Sequence, residues 1–225
     1  MSRNVTEHPV RLTKVRAVTA EVSENLRSDA RDNRARILAV ARAAFAAEGL
    51  DVPIREIARR AQVGPATVYR HFPTKEALFS EAFSESMATC SAIIEEGLTA
   101  ADPWRGFCQV IERLMEAHAL DRGFSRAFTS RLPPAVEYFT ADRDRALRLL
   151  VRLVRNAKEA GGLRTDFVLE DMILAMMATE GIRAESPEMR VAAARRLAAL
   201  MIQSFRANPV VAPLPPAVRL PLSPR

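Results

Sequence analysis

Cysteine is scarce: Cys90 and Cys108 are the only two in 225 residues, too few for a disulfide framework and without metal-ligand spacing. His8, His71 and His118 are scattered, and no HExxH, GxSxG or CxxC occurs. Metalloprotease, serine-hydrolase and dithiol chemistry therefore lack their residues, and no enzyme activity, metal or cofactor is expected. No apolar run approaches the ~20 residues of a bilayer span. The opening MSRNVTEHPVRLTKVRAV has no signal-peptide core, so a cytoplasmic chain without a membrane partner is expected. Period-2 alternation between turn residues is missing too, so no strands are expected. Lysine is nearly absent while arginine and alanine abound.

What is present is helix-forming. Hydrophobic residues make up 48% of the chain, enough for a real core. In DNRARILAVARAAFAAEG, Ile37, Leu38, Ala41, Ala44 and Phe45 share a face, and Gly49 stands where a helix stops. VPIREIARRA follows, with Pro53 suited to a first helical turn and Ile54, Ile57, Ala58 and Ala61 on one side. Thr74 is a plausible N-cap for a long helix striped by Phe79, Phe83, Met87, Cys90 and Ile94. DPW at 102–104 reads as N-cap plus N1 proline, and SRLPP at 130–134 as a break. Further helices are expected at about 135–160, 166–183 and 187–206, separated by the glycine pair 161–162 and Ser186-Pro187. The expectation is an all-α chain of roughly nine helices. It divides into a flexible extension (1–29), a small basic module (30–77), a larger helical body (78–206) and a proline-rich tail (207–225).

Charge follows the same division. Net charge is +6, of which residues 31–76 hold +4 and residues 77–206 hold −1. A solvated basic face and a polyanion partner explain that excess equally well.

The stretch VGPATVYRHFPTKEALF raises the sharper question, because Pro65 and Pro73 fence off a helix of two turns. On a helical wheel with Val68 inward, Phe72 falls beside it and Pro65 near it. Ala66 and Arg70 point away, flanked by Thr67 and Tyr69. A small residue, a hydroxyl, a guanidinium and a phenol are the groups that read base edges and grip phosphates in a major groove. Lys75 and the next helix's first turn add possible phosphate contacts. Ile57, Ala58, Ala61, Val63 and Val68 have the spacing of a helix-turn-helix core. The bland alternatives are that Tyr69 and His71 pack on the following helix and that Arg70 is an ordinary solvated charge.

Over residues 32–80, GLDVPIREIARRAQVGPATVYRHFPTKEALF included, the chain resembles the DNA-binding region of the tetracycline-repressor (TetR) family of bacterial transcription factors. The resemblance implies a homodimer with an N-terminal three-helix DNA-binding domain. A larger domain would bind a small molecule and dimerise. Carried over by position, Arg55, Pro65, Ala66, Thr67 and Arg70 lie at or near base edges, and Tyr69, His71 and Lys75 hold phosphates. Gln62 departs from the glycine often found in the turn, a strain of roughly 1 kcal/mol if its φ is positive. Ile54 replaces a phosphate-binding Thr of some members.

Beyond Leu78 the sequence is unspecific. Val191, Ala194, Ala198, Met201 and Phe205 recur at helical spacing, with Leu197 and Leu200 alongside. Paired with residues 166–180 across a two-fold axis they suggest a four-helix dimer interface; completing a monomer core is the alternative. A ligand pocket is expected between the helices at 79–98, 103–121, 135–160 and 166–180. Its candidate lining is Met87, Trp104, Phe107, Met115, Phe128, Tyr138, Met172 and Met176, residues that are more often plain core. His118 reads as a hydrogen-bonded core histidine, with a pocket's polar anchor as the outside alternative. A redox pair of Cys90 and Cys108 is weaker than two inert buried thiols. The functional expectation is a repressor released from a palindromic double-stranded operator by an unidentified, mainly hydrophobic effector. The alternative is a DNA-binding regulator without an effector, acting as an activator or through a protein partner.

Overall fold

A computed structural model of the chain describes residues 30–129 and 136–208. The expectations for the N-terminal extension, the break at 130–134 and nearly all of the tail lie outside those residues. Within them are nine α-helices and no strand. They are α1 (30–48), α2 (Ile54–Arg60), α3 (Pro65–His71), α4 (Lys75–Leu98), α5 (Pro103–Leu120), α6 (Arg122–Thr129), α7 (Glu137–Glu159), α8 (Leu169–Glu180) and α9 (Pro187–Phe205). None of them is long and apolar enough to cross a membrane.

Local chemistry sets the helix ends. Gly49, at φ +71°, leads out of α1 through a short 3₁₀ turn (Gly49–Asp51). Thr74 caps α4 by accepting the Ala77 N–H at 3.0 Å. Asp102 caps α5 by accepting from Trp104 and Arg105, and Ser186 caps α9 through Met189. Pro53 differs from expectation: it is the extended N-cap of α2 rather than a residue of its first turn. Its missing N–H costs nothing at either place.

The turn between α2 and α3 closes through the Val63 N–H, which donates to the Ala58 carbonyl at 3.0 Å. That geometry needs a left-handed residue at Gln62, whose φ is +56°. A non-glycine residue pays about 1–2 kcal/mol there. Val68, Ala61 and Ile57 are fully buried beneath it, and this packing supplies the compensation.

The larger body is built around α5, which packs against α4, α6, α7, α8 and α9. At the α4–α5 crossing Gly97 meets Gly106. A Cβ on Gly106 would stand 2.2 Å from the Gly97 carbonyl oxygen, so the two backbones touch where no side chain fits. At the same end Trp104 stacks on Phe107 (5.5 Å, 18°) beneath the Arg206 guanidinium, and Gly162 leaves room for the indole. An isolated antiparallel bridge between Leu163 and Arg206 ties the end of α9 to the α7–α8 connection.

At the other end of α5, His118 is buried with its Nδ1 3.0 Å from the Ser125 hydroxyl. The hydroxyls of Ser125 and Thr129 both donate to Glu180 Oε1 at 3.1 Å, so α5, α6 and α8 share one polar chain. His118 is therefore the hydrogen-bonded core histidine of the sequence reading. Burial pushes its pKa down to about 4, only partly opposed by Asp121.

Two predictions follow from this packing. Gly106→Ala forces α4 and α5 apart and should lower stability by about 1–3 kcal/mol, read from the urea midpoint. For His118, the unfolded chain binds a proton near pH 6.5 and the folded one only near pH 4. The unfolded state thus takes protons first as pH falls. Stability should be full above pH 6.5 and decline between 6.5 and 4, by up to roughly 3 kcal/mol. His118→Gln should flatten that window in urea titrations at stepped pH.

Candidate nucleic-acid interface

The outward face of α3 is built from the inside. Val68 is fully buried and Phe72 nearly so, which fixes the rotation of the short helix. Pro65, Ala66 and Arg70 are then exposed, Thr67 is half-buried, and Tyr69 is 51% exposed. The wheel of the sequence reading holds for Phe72, Ala66 and Arg70, and Tyr69 does not pack away against α4, but Pro65, placed near Val68 by the wheel, is exposed at the open end of the helix. Arg55 is exposed on α2 and Lys75 half-buried at the start of α4.

His71 is different. It is half-buried, its ring lies 6.2 Å from Phe72, and its Nε2 is shut off from solvent with no partner among the described residues. Burial lowers its pKa, and the charges of Arg70 and Arg34 lower it further.

Pairing sorts the module's cations into two groups. Arg59 and Arg60 are both held by Glu56, whose carboxyl they draw down to about 2 by direct hydrogen bonds, and Arg60 also reaches Glu48. Arg34 pairs with Glu81 on α4 at 2.8 Å and lies over the Phe72 ring. Arg42 donates to the Ala82 carbonyl at 2.8 Å. These four brace the module. Among the described residues Arg55, Arg70 and Lys75 enter no ion pair, nor do Arg31 and Arg36 on α1, and the first three add positive field around α3.

Sequence reading missed Arg36. Its Nε donates to the Ala61 carbonyl at 2.9 Å, so α1 holds the end of α2 where the turn begins. An arginine on the flank of an apolar stripe was the only available signal.

The candidate pocket residues are not gathered around one opening. Met87 and Tyr138 border a groove of about 280 Å³ between α4 and α7, with Phe139, Ser84 and Asp142. Phe107, Met115, Met172 and Met176 are fully buried, Phe128 nearly so, and Trp104 half-buried; they fill the body rather than line space. A second groove of about 260 Å³ lies between α1, α4 and the α5–α6 corner, beside Arg42, Cys90, Leu120 and Asp121. Burial pushes the thiols of Cys90 and Cys108 up to about 12, so neither is a thiolate at neutral pH. No group of three His, Cys, Asp or Glu with metal-holding geometry occurs among the described residues.

The interface stripe on α9 needs correction. Ala194 and Ala198 are completely buried within the protomer, because α9 lays that side against α5. Val191, Met201 and Phe205 are half-buried, and Phe205 packs on Phe167 at 4.8 Å. The apolar residues left outside are Leu174 (62% exposed) and Met177 on α8 and Leu200 on α9.

Comparison with known proteins agrees with this architecture. A family model described as bacterial regulatory proteins, tetR family, matches residues 37–82. A TetR transcription regulatory protein from Mycobacterium vanbaalenii is 32% identical, over 80% of this chain and 99% of that one. Its TM-score is 0.45. The ketosteroid transcriptional regulator KstR2 of Mycobacterium tuberculosis is similar in fold: TM-score 0.61, 20% identity, 77% of this chain and 94% of that one. So is a tetR-family regulatory protein from Rhodococcus RHA1: TM-score 0.58, 22% identity, 76% and 96%. No curated protein matches the chain. The family model places the DNA-binding helices of this chain in the tetR family of bacterial regulatory proteins, and the protein is a DNA-binding transcription regulator rather than an enzyme.

Proposed function

We propose that the protein is a homodimeric repressor that grips a palindromic operator with two copies of α3 and releases it when a small, mainly hydrophobic molecule binds the larger domain. The observation that carries this reading is the outer face of α3, where Arg70, Tyr69 and Thr67 stand over a buried Val68 with unpaired Arg55 and Lys75 on either side. Arg70 suits the O6 and N7 edge of guanine, and Arg55, Pro65, Ala66 and Thr67 frame the base contacts. Tyr69 and Lys75 take phosphates. His71 adds a hydrogen bond from the ring nitrogen opposite its buried Nε2.

Two half-sites about 34 Å apart call for two readers. The outer face of α8 and α9, with Leu174, Met177 and Leu200, is the surface that supports pairing. Release would be a population shift: effector favours a conformer whose two α3 helices no longer match the half-site spacing. The effector-free regulator stays as the second reading, because Phe107, Met115, Met172 and Met176 are packed together without an opening among them.

Selection of genomic fragments by the purified protein, at near-physiological salt, tests the operator. Enrichment of a palindrome supports the dimeric reader, and loss of it on adding apolar small molecules separates the two readings. On a selected site, Arg70→Ala should relax preference at one or two base pairs. Lys75→Ala should weaken all sequences alike and lower the salt slope by about one unit. Unchanged binding in both variants sinks this register for α3.

A further inference from the structure

Three arginines from three elements meet where the α5–α6 corner faces the α8–α9 connection. Arg122 opens α6, Arg183 lies in the connection, and Arg190 is in the first turn of α9. They line a cavity of about 150 Å³ together with Ile182, Ala184 and Glu185. Arg122 and Arg183 donate to the same acceptor, the Glu180 carbonyl, at 3.3 and 2.9 Å, which sets their cationic heads side by side. Arg190 donates to the Ala119 carbonyl at 3.3 Å.

None of the three enters an ion pair among the described residues. Of the carboxylates nearby, Glu180 has Oε1 engaged by Ser125 and Thr129, while Glu185 lines the cavity and Glu188 feels the charge of Arg190, none of them in an ion pair with the three. Burial lowers the pKa of Arg122, and Arg183, Arg190 and Arg126 lower it further, with Glu180 opposing only weakly. Capping the C-terminal carbonyls of α5 and α8 explains one N–H of each guanidinium. A guanidinium has five, and it stays charged in a protein. Three such groups side by side repel one another unless an anion sits between them.

We propose that Arg122, Arg183 and Arg190 form a binding site for a phosphate group. The cavity holds the volume of roughly five waters, enough for a phosphate or a compact phosphate ester. Guanidinium forks match phosphate oxygens bidentately, which a lone capping role does not require. The site sits on the helix that touches the reader module. Gly123 of α6 lies so close to α1 that a Cβ would stand 2.4 Å from the Ala46 methyl, and Arg126 donates to the Ala46 carbonyl at 2.6 Å. An anion that draws Arg122 toward α9 therefore acts on α6 where it seats against α1. The phosphate comes either from a free small molecule or from the backbone of bound DNA.

The test uses the full chain at constant ionic strength, with pyrophosphate as probe and sodium chloride as the matched control. A free-ligand site gives a saturable rise in melting temperature and a measurable heat of binding. Arg183→Gln with Arg190→Gln should weaken that binding at least tenfold, while Arg148→Gln on the exposed side of α7 should not. A flat pyrophosphate response, with the double variant lowering the salt slope of DNA binding by one or two units, assigns the phosphate to the DNA backbone. That arm rests on the operator reading; the pyrophosphate arm does not. Should the double variant lose its helical circular dichroism, Arg183→Gln alone replaces it, since Arg183 is exposed. A flat response together with an unchanged salt slope overturns the site and leaves the arginines as helix caps only.

Discussion

The junction between reader and body depends on a file of aromatic rings threaded along α4. Phe79 touches Phe45 of α1 at 5.2 Å, Phe83 one turn on at 5.0 Å, and Phe139 of α7 at 5.3 Å. From Phe83 the file continues to Phe124 of α6, then to His118 of α5 and to Phe128. Each contact is worth about 0.5–1.5 kcal/mol beyond the area it buries. Edge-to-face geometry also resists sliding, since a displaced ring loses its favourable quadrupole contact. A helix so held moves with its neighbours or not at all. The recognition helix is joined to α4 by three residues only, so its placement follows from the same rings.

The reader module is braced by a few ion pairs, in which Glu56, Glu48 and, from α4, Glu81 orient α1, α2 and α4. That bracing leaves Arg55, Arg70 and Lys75 unpaired around α3. Internal order is thus drawn largely from arginine, through carboxylates at Glu56, Glu48 and Glu81 and through the carbonyls of Ala61 and Ala82. The strained Gln62 belongs to the same logic, because packing of Val68, Ala61 and Ile57 holds a turn that its own residue disfavours.

Much of this was legible in the sequence. Caps at Thr74 and Asp102, the break at Ser186-Pro187 and the stop at Gly49 use local chemistry, and local chemistry is what single residues encode. The α3 face was legible for a related reason: two prolines fix the helix ends, and one buried valine fixes its rotation. Pro53 shifted by one position because a proline is equally comfortable on either side of a helix start. The α9 stripe misled because that helix carries apolar residues on two sides, so a period of 3–4 names a helix without naming which side looks inward. Arg36 and the convergence of Arg122, Arg183 and Arg190 were invisible, since they join residues far apart in the chain through contacts with backbone carbonyls. The pocket candidates met the same limit: apolar periodicity reports burial, and burial alone does not separate a lining from a filling.

Trp104 has a consequence of another kind. It is the only tryptophan in the chain, stacked on Phe107, roofed by Arg206 and seated over Gly162. The same cluster reaches Phe167 and Phe205, so one indole is in touch with α5, the α7–α8 connection and the end of α9. The natural chain therefore carries a single optical reporter, placed at the end of α5 away from the α1 contact. Its emission follows the packing of that end of the body, so loosening there can be timed in the unlabelled protein.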